Sequence, residues 1–306
     1  MTPAEAPETV RVQAHAKLNL FLRVLAREAS GFHGLETLFT LVELSDELTA
    51  TRIARGVELS VEGADTGPVD ENLAVRAARL VLEATGNRFG VRMHLRKHIP
   101  VRGGLGGGSS DGAAALWAVN ALAGNAVPGH EVIQFASRLG SDVPFFAARV
   151  PLALAWGHGE RLFRLPPPPS APVLIVLPDF GVPTADAYRQ LDAARARDPA
   201  RGAVVLDAEA LSGWGTIARL GSNDFESVLF AREPRLRALF EQLAETRPLL
   251  VRLSGSGSAI AAVYRNPSDR DAARGVIGKP GGVTFFSTET RSETPAAPTC
   301  ITSGCR

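Results

Sequence analysis

Apolar residues occupy every second position from Val10 to Val24, namely Val12, Ala14, Ala16, Leu18, Leu20 and Leu22 between those ends. A period of two is that of a strand. An extended segment over Val10 to Leu25 puts Lys17 and Asn19 on one face, with Arg11, Gln13 and His15 behind them, opposite the apolar row. Further strand signals cover Thr37 to Val42, Glu47 to Ile53 and Val57 to Val61. The spacing then becomes helical from Asn72 to Thr85. Asp70 or Asn72 can cap its start, Leu73, Ala77, Leu80 and Ala84 form a stripe, and Gly86 suits its end. Val91, Met93 and Leu95 alternate again, an Ala-rich helix spans Gly112 to Leu122, and another runs from His130 to Leu139.

The prolines at 166 to 169 punctuate the pattern and predict a linker between domains at 1–165 and 170–287. Past them, Val173 to Leu177 reads as a strand, and Thr184 to Arg197 as a helix with Ala187, Tyr188 and Leu191 inward. Helices follow at Asp224 to Arg232 and Pro234 to Thr246. A strand pair, Leu249 to Leu253 and Ile260 to Tyr264, brackets the turn Ser254-Gly255-Ser256-Gly257-Ser258, before a helix near Ser268 to Ile277 and a strand near Val283 to Ser287. The mixture predicts an α+β fold. Residues 288–306, rich in Thr, Ser and Pro, read as a disordered tail. It carries both cysteines, Cys300 and Cys305, whose spacing without a nearby His argues against a metal site.

Composition narrows the field by exclusion. The 33 basic and 32 acidic side chains of the 306 residues nearly cancel, so no global charge recommends nucleic acid or an anionic membrane as a partner. No apolar run is long enough to span a bilayer, and Met1 to Arg11 lacks the apolar core of a signal peptide. A cytoplasmic protein, monomer or homodimer, is expected.

Chemistry concentrates in Pro100-Val101-Arg102-Gly103-Gly104-Leu105-Gly106-Gly107-Gly108-Ser109-Ser110, immediately before Asp111 and the Ala-rich helix. Glycines permit φ > 0 and close backbone approach, and the first amides of a helix attract anions, so the stretch outlines a phosphate site. A Walker loop would place Lys after its last glycine, where Ser109 stands; the spacing of a dinucleotide fingerprint fails too. His94 and His98 are four apart, but on an extended segment without a zinc helix's glutamate. Asp142 lies in Ser141-Asp142-Val143-Pro144-Phe145-Phe146, where Pro144 disfavours helix at Val143. Its carboxylate either caps a helix or, partly desolvated among apolar neighbours, accepts a proton. The Ser254 to Ser258 turn is either a plain hairpin or a second backbone clamp around a phosphate.

Taken in order, Lys17 and Asn19, the glycine loop and the late Gly-Ser-Gly turn resemble the galactokinase, homoserine kinase, mevalonate kinase and phosphomevalonate kinase (GHMP) superfamily. Ala16-Lys17-Leu18-Asn19-Leu20, Gly31-Phe32-His33, Gly140-Ser141-Asp142-Val143-Pro144 and Leu253-Ser254-Gly255-Ser256-Gly257 are similar to its branch acting on a cytidine-diphosphate-linked sugar alcohol, methylerythritol, in isoprenoid precursor synthesis. The resemblance implies a two-domain fold: an N-terminal ribosomal-protein-S5-domain-2-like nucleotide domain and a C-terminal ferredoxin-like α/β layer.

It further implies phosphoryl transfer from ATP, accompanied by Mg²⁺ with few protein ligands, to the acceptor's 2-hydroxyl. Asp142 would be the general base and Lys17 its electrostatic partner. Residues Pro100 to Ser110 would hold the phosphates, with Lys97 a further contact. Asn19 would lie near the methylerythritol hydroxyls. Phe32 would stack on the cytosine and His33 hydrogen-bond it, with Thr184 and Tyr188 completing the pocket. Phe32 stands where a tyrosine is common. Arg102 replaces an expected small residue, and either points outward or adds a cation. Another small-alcohol kinase of the superfamily, or a non-catalytic ligand sensor of the same fold, would share the loop; retention of both Lys17 and Asp142 argues against the sensor.

Overall fold

The computed structural model describes residues 7–27, 33–195, 207–278 and 281–301. Phe32 and Cys305, and with them the expectations for both, lie outside the described residues.

Two long strands, β1 (Thr9–Arg27) and β2 (His33–Ile53), pair antiparallel and set the frame of the first half. The signals at Thr37 to Val42 and Glu47 to Ile53 are one strand with two successive partners. Its first half pairs with β5 (Leu152–Gly157) and its second with β4 (Gly90–Arg96). Strand β3 (Val57–Glu62) lies parallel to β4, reached through helix α1 (Leu73–Ala84), while β6 (Arg161–Arg164) extends from β5. Asn72 caps α1 by accepting from the Ala74 amide. The buried stripe of α1 differs from the predicted one: Ala74, Val75, Ala78, Val81 and Leu82 face the core beside Ala77, whereas Leu73 and Leu80 are half-buried and Ala84 exposed. Helix α2 spans Gly107–Leu122, so the last glycines and both serines of the loop form its first turn. α1 and α2 pack against the sheet around Met93, Leu116 and Phe145.

The predicted apolar row of β1 does not keep to one side. Val10 and Ala14 join the core around α1 and α2, whereas Ala16, Leu18 and Leu20 join one shared with the second sheet. The change coincides with an irregularity in the pairing between His15 and Lys17, where β2 carries two more residues than β1. The polar row opposite the apolar one is buried only in part: His15, Lys17 and Asn19 are covered, whereas Arg11 and Gln13 stay exposed.

Helices α3 (Gly129–Ser137) and α4 (Val143–Ala147) return the chain to β5. Beyond the prolines, β7 (Pro172–Pro178), β8 (Leu250–Leu253), β9 (Ile260–Val263) and β10 (Val283–Glu289) form a second antiparallel sheet, in order β10-β7-β9-β8. Numbered within this half, that order is 4-1-3-2 and fits the ferredoxin-like expectation. Helices α5 (Thr184–Arg195), α6 (Trp214–Leu220), α7 (Asp224–Arg232) and α8 (Pro234–Glu245) intervene before β8, and α9 (Pro267–Ile277) before β10. Leu18, Leu20 and Leu105 pack with Ile175 and Ala261 across the two sheets. This shared core holds the glycine loop against both halves.

The expected disordered tail is corrected as far as Ile301. Thr290 and Arg291 donate their amides to Ala171 and Leu41, Arg149 reaches the Pro295 carbonyl, and β11 (Thr299–Cys300) adds an edge strand to β1. A Thr/Ser/Pro composition forbids a core of its own, but not pairing with an edge another strand supplies. Among the described residues, no helix is long and apolar enough to cross a membrane.

Candidate active site

β1, the glycine loop, α4, α5 and the β8–β9 turn converge on one open cleft of about 690 Å³. Lys17, Asn19, His33, Ser109, Asp142 and Tyr188 all line it. The sequence separates them by up to 171 positions, and the shared core gathers them.

Lys17 is held from several sides. Its backbone amide donates to the Leu105 carbonyl at 2.9 Å, tying β1 to the loop. Its ammonium donates to Asn19 Oδ1 at 2.5 Å, stands 3.7 Å from Asp142 Oδ2 and lies 5.2 Å from the Phe39 ring centre. Burial lowers the Lys17 pKa, against the opposing pull of Asp142. Such a cation gains from a second anion nearby. Asn19 is itself fixed, since Oδ1 also accepts from the Gly255 amide at 2.8 Å and Nδ2 donates to Thr37, whose hydroxyl donates to the Phe21 carbonyl.

Asp142 occupies the N-cap position of α4 but makes no capping hydrogen bond with its side chain. The capping alternative therefore falls. Val143, expected to be non-helical, opens α4 with Pro144 in its first turn, where a missing amide costs nothing. The carboxylate is one-third exposed and faces the cleft.

The loop is stitched to the second half of the chain. Ser254 Oγ donates to the Gly104 carbonyl, and the Ala259 amide to the Gly103 carbonyl. The Ser254 to Ser258 segment is thus a hairpin turn that also holds the glycine loop. Two glycines are demanded by space as well as by φ. A Cβ on Gly104 would lie 2.2 Å from the Ser254 oxygen, and one on Gly106 2.7 Å from the Phe146 ring. With φ +73° at Gly106, the chain turns into α2 and leaves the amides of Gly107, Gly108 and Ser109 without an acceptor one turn back. The first such bond runs from Ser110 to Gly106.

Some predicted contacts lie elsewhere. Ser110 is buried and borders a void of about 30 Å³ with His15 and Trp117, so only Ser109 of the pair faces the cleft. Arg102, at φ +61°, lines with Val101 a neighbouring cleft of about 730 Å³, beyond a hydrogen bond of 2.9 Å between Thr184 and Ser256. Pro100 contributes to neither cleft. Lys97 departs furthest from expectation. Its ammonium is buried between Asp46 and Asp111, bonding both, and Asp46 further accepts from the His98 and Ile99 amides. A Cβ on Gly107 would stand 3.3 Å from that ammonium, so the charge props the helix start from beneath. Burial pushes the Asp111 carboxyl up to about 7, against the Lys97 charge. The sequence reading missed this because neighbours in sequence do not reveal partners 51 and 14 positions away. His94 and His98 are surface residues, and no group of three His, Cys, Asp or Glu gathers as a metal site among the described residues.

On the acceptor side, His33 stacks on Tyr188 at 5.2 Å and 25°, and Phe225 meets Tyr188 edge-on. Burial, with the Asp142 charge second, raises the Tyr188 phenol to about 12. Two supporting residues escaped the sequence reading. Asn223 caps α7 at the Phe225 amide, a legible signal, but its Nδ2 also holds the carbonyls of Leu253 and Gly255. Asp192 bonds His33 at 2.7 Å and left no sequence signal beyond lying four positions after Tyr188.

Residues 72–149 match the family described as GHMP kinases N terminal domain, and residues 206–281 that described as GHMP kinases C terminal. The 4-diphosphocytidyl-2-C-methyl-D-erythritol kinase of Solibacter usitatus is 38% identical over 85% of this chain and 82% of its own length. That of Pelotomaculum thermopropionicum is also 38% identical, over 87% of this chain and 92% of its own. A crystal structure of a 4-(cytidine 5'-diphospho)-2C-methyl-D-erythritol kinase superposes with a TM-score of 0.77 at 35% identity, covering 92% of this chain and 99% of that one. A homoserine kinase from Cytophaga hutchinsonii, 18% identical with a TM-score of 0.70 over 96% of this chain and 98% of its own, shares the fold.

Proposed function

Because the chain belongs to the 4-diphosphocytidyl-2-C-methyl-D-erythritol kinases of the GHMP kinase family, we propose that its cleft transfers a phosphoryl group from ATP to that acceptor's 2-hydroxyl with Asp142 as general base. The observation that carries the residue assignment is the approach of Asp142 to Lys17 beside the open start of α2.

Phosphoryl transfer passes through a loose transition state, so alignment and stabilisation of spread negative charge supply most of the catalysis. The acceptor oxygen attacks the γ-phosphorus, its proton passes to Asp142, and the bond to the departing ADP oxygen breaks. Lys17 favours the ionised Asp142 and, held by Asn19 and Leu105, offers its charge to the transferring group. The amides of Gly107, Gly108 and Ser109, with the positive end of α2, take the phosphates. Mg²⁺ is the proposed companion of ATP and supplies charge neutralisation. The Ser109 hydroxyl and the Asp142 carboxylate facing the cleft are oxygen donors of the type it takes. Lys97 supports the loop from beneath and is not assigned to the phosphates.

We assign His33, Tyr188 and Thr184 to the cytidine end of the acceptor, and Asn19, beside the catalytic pair, to its polyol end. The assay is ADP release from Mg-ATP with 4-diphosphocytidyl-2-C-methyl-D-erythritol, set against homoserine and mevalonate. Preference for either of the latter would refute the assignment.

A further inference from the structure

His33 is gripped from two directions by one helix. Tyr188 stacks against its ring, and Asp192, one turn further along α5, accepts at its Nε2. The imidazole is almost buried, with its side chain 7% exposed, and lines the cleft. Its other nitrogen, Nδ1, makes no hydrogen bond among the described residues. Resting on the cytidine assignment above, we propose that Asp192 is a positioning residue that fixes the tautomer of His33 and thereby makes the site select cytosine over uracil.

The argument is one of donors and acceptors. An ionised carboxylate only accepts, so the imidazole nitrogen facing it carries the hydrogen. In the neutral ring this leaves Nδ1 with a lone pair, an acceptor held in the plane that Tyr188 sets. Cytosine presents a 4-amino donor where uracil presents a 4-oxo acceptor. The amino group completes the hydrogen bond, whereas the oxo group brings two lone pairs together and leaves both unpaired, the circumstance in which a polar site discriminates most strongly. Nothing in the phosphate end of the cleft distinguishes these bases, and at the cytidine end His33 is the group whose donor or acceptor state a neighbouring carboxylate sets.

The test compares kcat/KM for the cytidine- and uridine-diphosphate-linked methylerythritols in the wild type, Asp192→Asn and Asp192→Glu. The wild type is expected to prefer the cytidine acceptor by about a hundredfold or more. In Asp192→Asn the amide can turn its NH₂ toward Nε2 and release the ring proton to Nδ1. The preference is then expected to fall at least tenfold, through KM and with little change in kcat. Asp192→Glu should recover part of it. ¹⁵N NMR of the histidine rings supplies an independent reading: Nε2 of His33 protonated and Nδ1 bare in the wild type. An unchanged ratio in Asp192→Asn, an equal loss on both acceptors, or a proton on Nδ1 in the wild type would overturn the proposal alone. A wild type inert toward the cytidine acceptor would overturn the reading beneath it as well.

Discussion

The Lys17 ammonium stands 3.7 Å from the Asp142 carboxylate, the first almost wholly buried and the second one-third open to the cleft. The asymmetry suits a proton acceptor that must meet its substrate with a held ammonium behind it. Replacing Asp142 with Asn keeps the shape and removes the base. Turnover is expected to fall roughly 10²–10⁴-fold, with ATP affinity nearly unchanged, as steady-state kinetics and calorimetry would show. Near-normal turnover would remove Asp142 from the role.

Gly106→Ala probes the loop. The left-handed conformation costs an L-residue about 1–2 kcal/mol, and the new Cβ would press on the Phe146 ring and the Lys17 stem. The variant is expected to melt several degrees lower and to bind ATP more weakly, a combination that melting curves with and without nucleotide would detect.

Lys97→Met separates a structural charge from a phosphate contact. Removing the cation leaves Asp46 and Asp111 buried without their shared partner, and breaking such a pair typically costs about 3–5 kcal/mol. Urea unfolding is expected to show a loss of that order. A variant of unchanged stability with a raised KM for ATP would return Lys97 to the nucleotide.

His15 makes stability depend on pH. Burial, aided by the Arg291 charge, lowers its pKa from 6.5 to about 4, while its Nδ1 lies 3.2 Å from the Val42 carbonyl oxygen. The folded state therefore resists a proton that the unfolded chain accepts. Its contribution is intact above pH 6.5 and is lost as pH falls toward 4, by up to ~3 kcal/mol. A His15→Gln variant should show a shallower decline over that window in denaturant titrations at stepped pH.

Tyr188→Phe retains the ring against His33 and Phe225 and gives up only the phenol. Tyr188→Ala loses the stack as well. The alanine variant is expected to raise the KM for the cytidyl acceptor about tenfold with the KM for ATP unmoved, because His33 loses the ring that orients it and an aromatic pair contributes about 0.5–1.5 kcal/mol. Equal effects on both substrates would place Tyr188 outside the acceptor pocket.

Local periodicity carried the elements well. Alternation located β1 and β4, and the Asn72 cap and the Pro234 start of α8 were readable because helix starts depend on neighbours in sequence. Periodicity failed where two faces of one element are buried. Lys17 and Asn19 of β1 looked solvated because they are polar, yet Phe39, Asp142, the glycine loop and the β8–β9 turn enclose them. The same limit hid Lys97, whose partners Asp46 and Asp111 come from two other elements, and the pairing of Thr299 and Cys300 with Arg11 and Val10 at the far end of the chain.

By itself, then, the sequence determined the chemistry on offer: a glycine-lined helix start, a lysine, an aspartate and an aromatic–histidine pair, each fixed by local residue type. The tertiary structure alone decided which of these charges meet. Burial of a polar group requires a partner, and partners in this fold come from distant strands. That requirement sends Lys17 to Asp142 in the cleft and confines Lys97 beneath the helix.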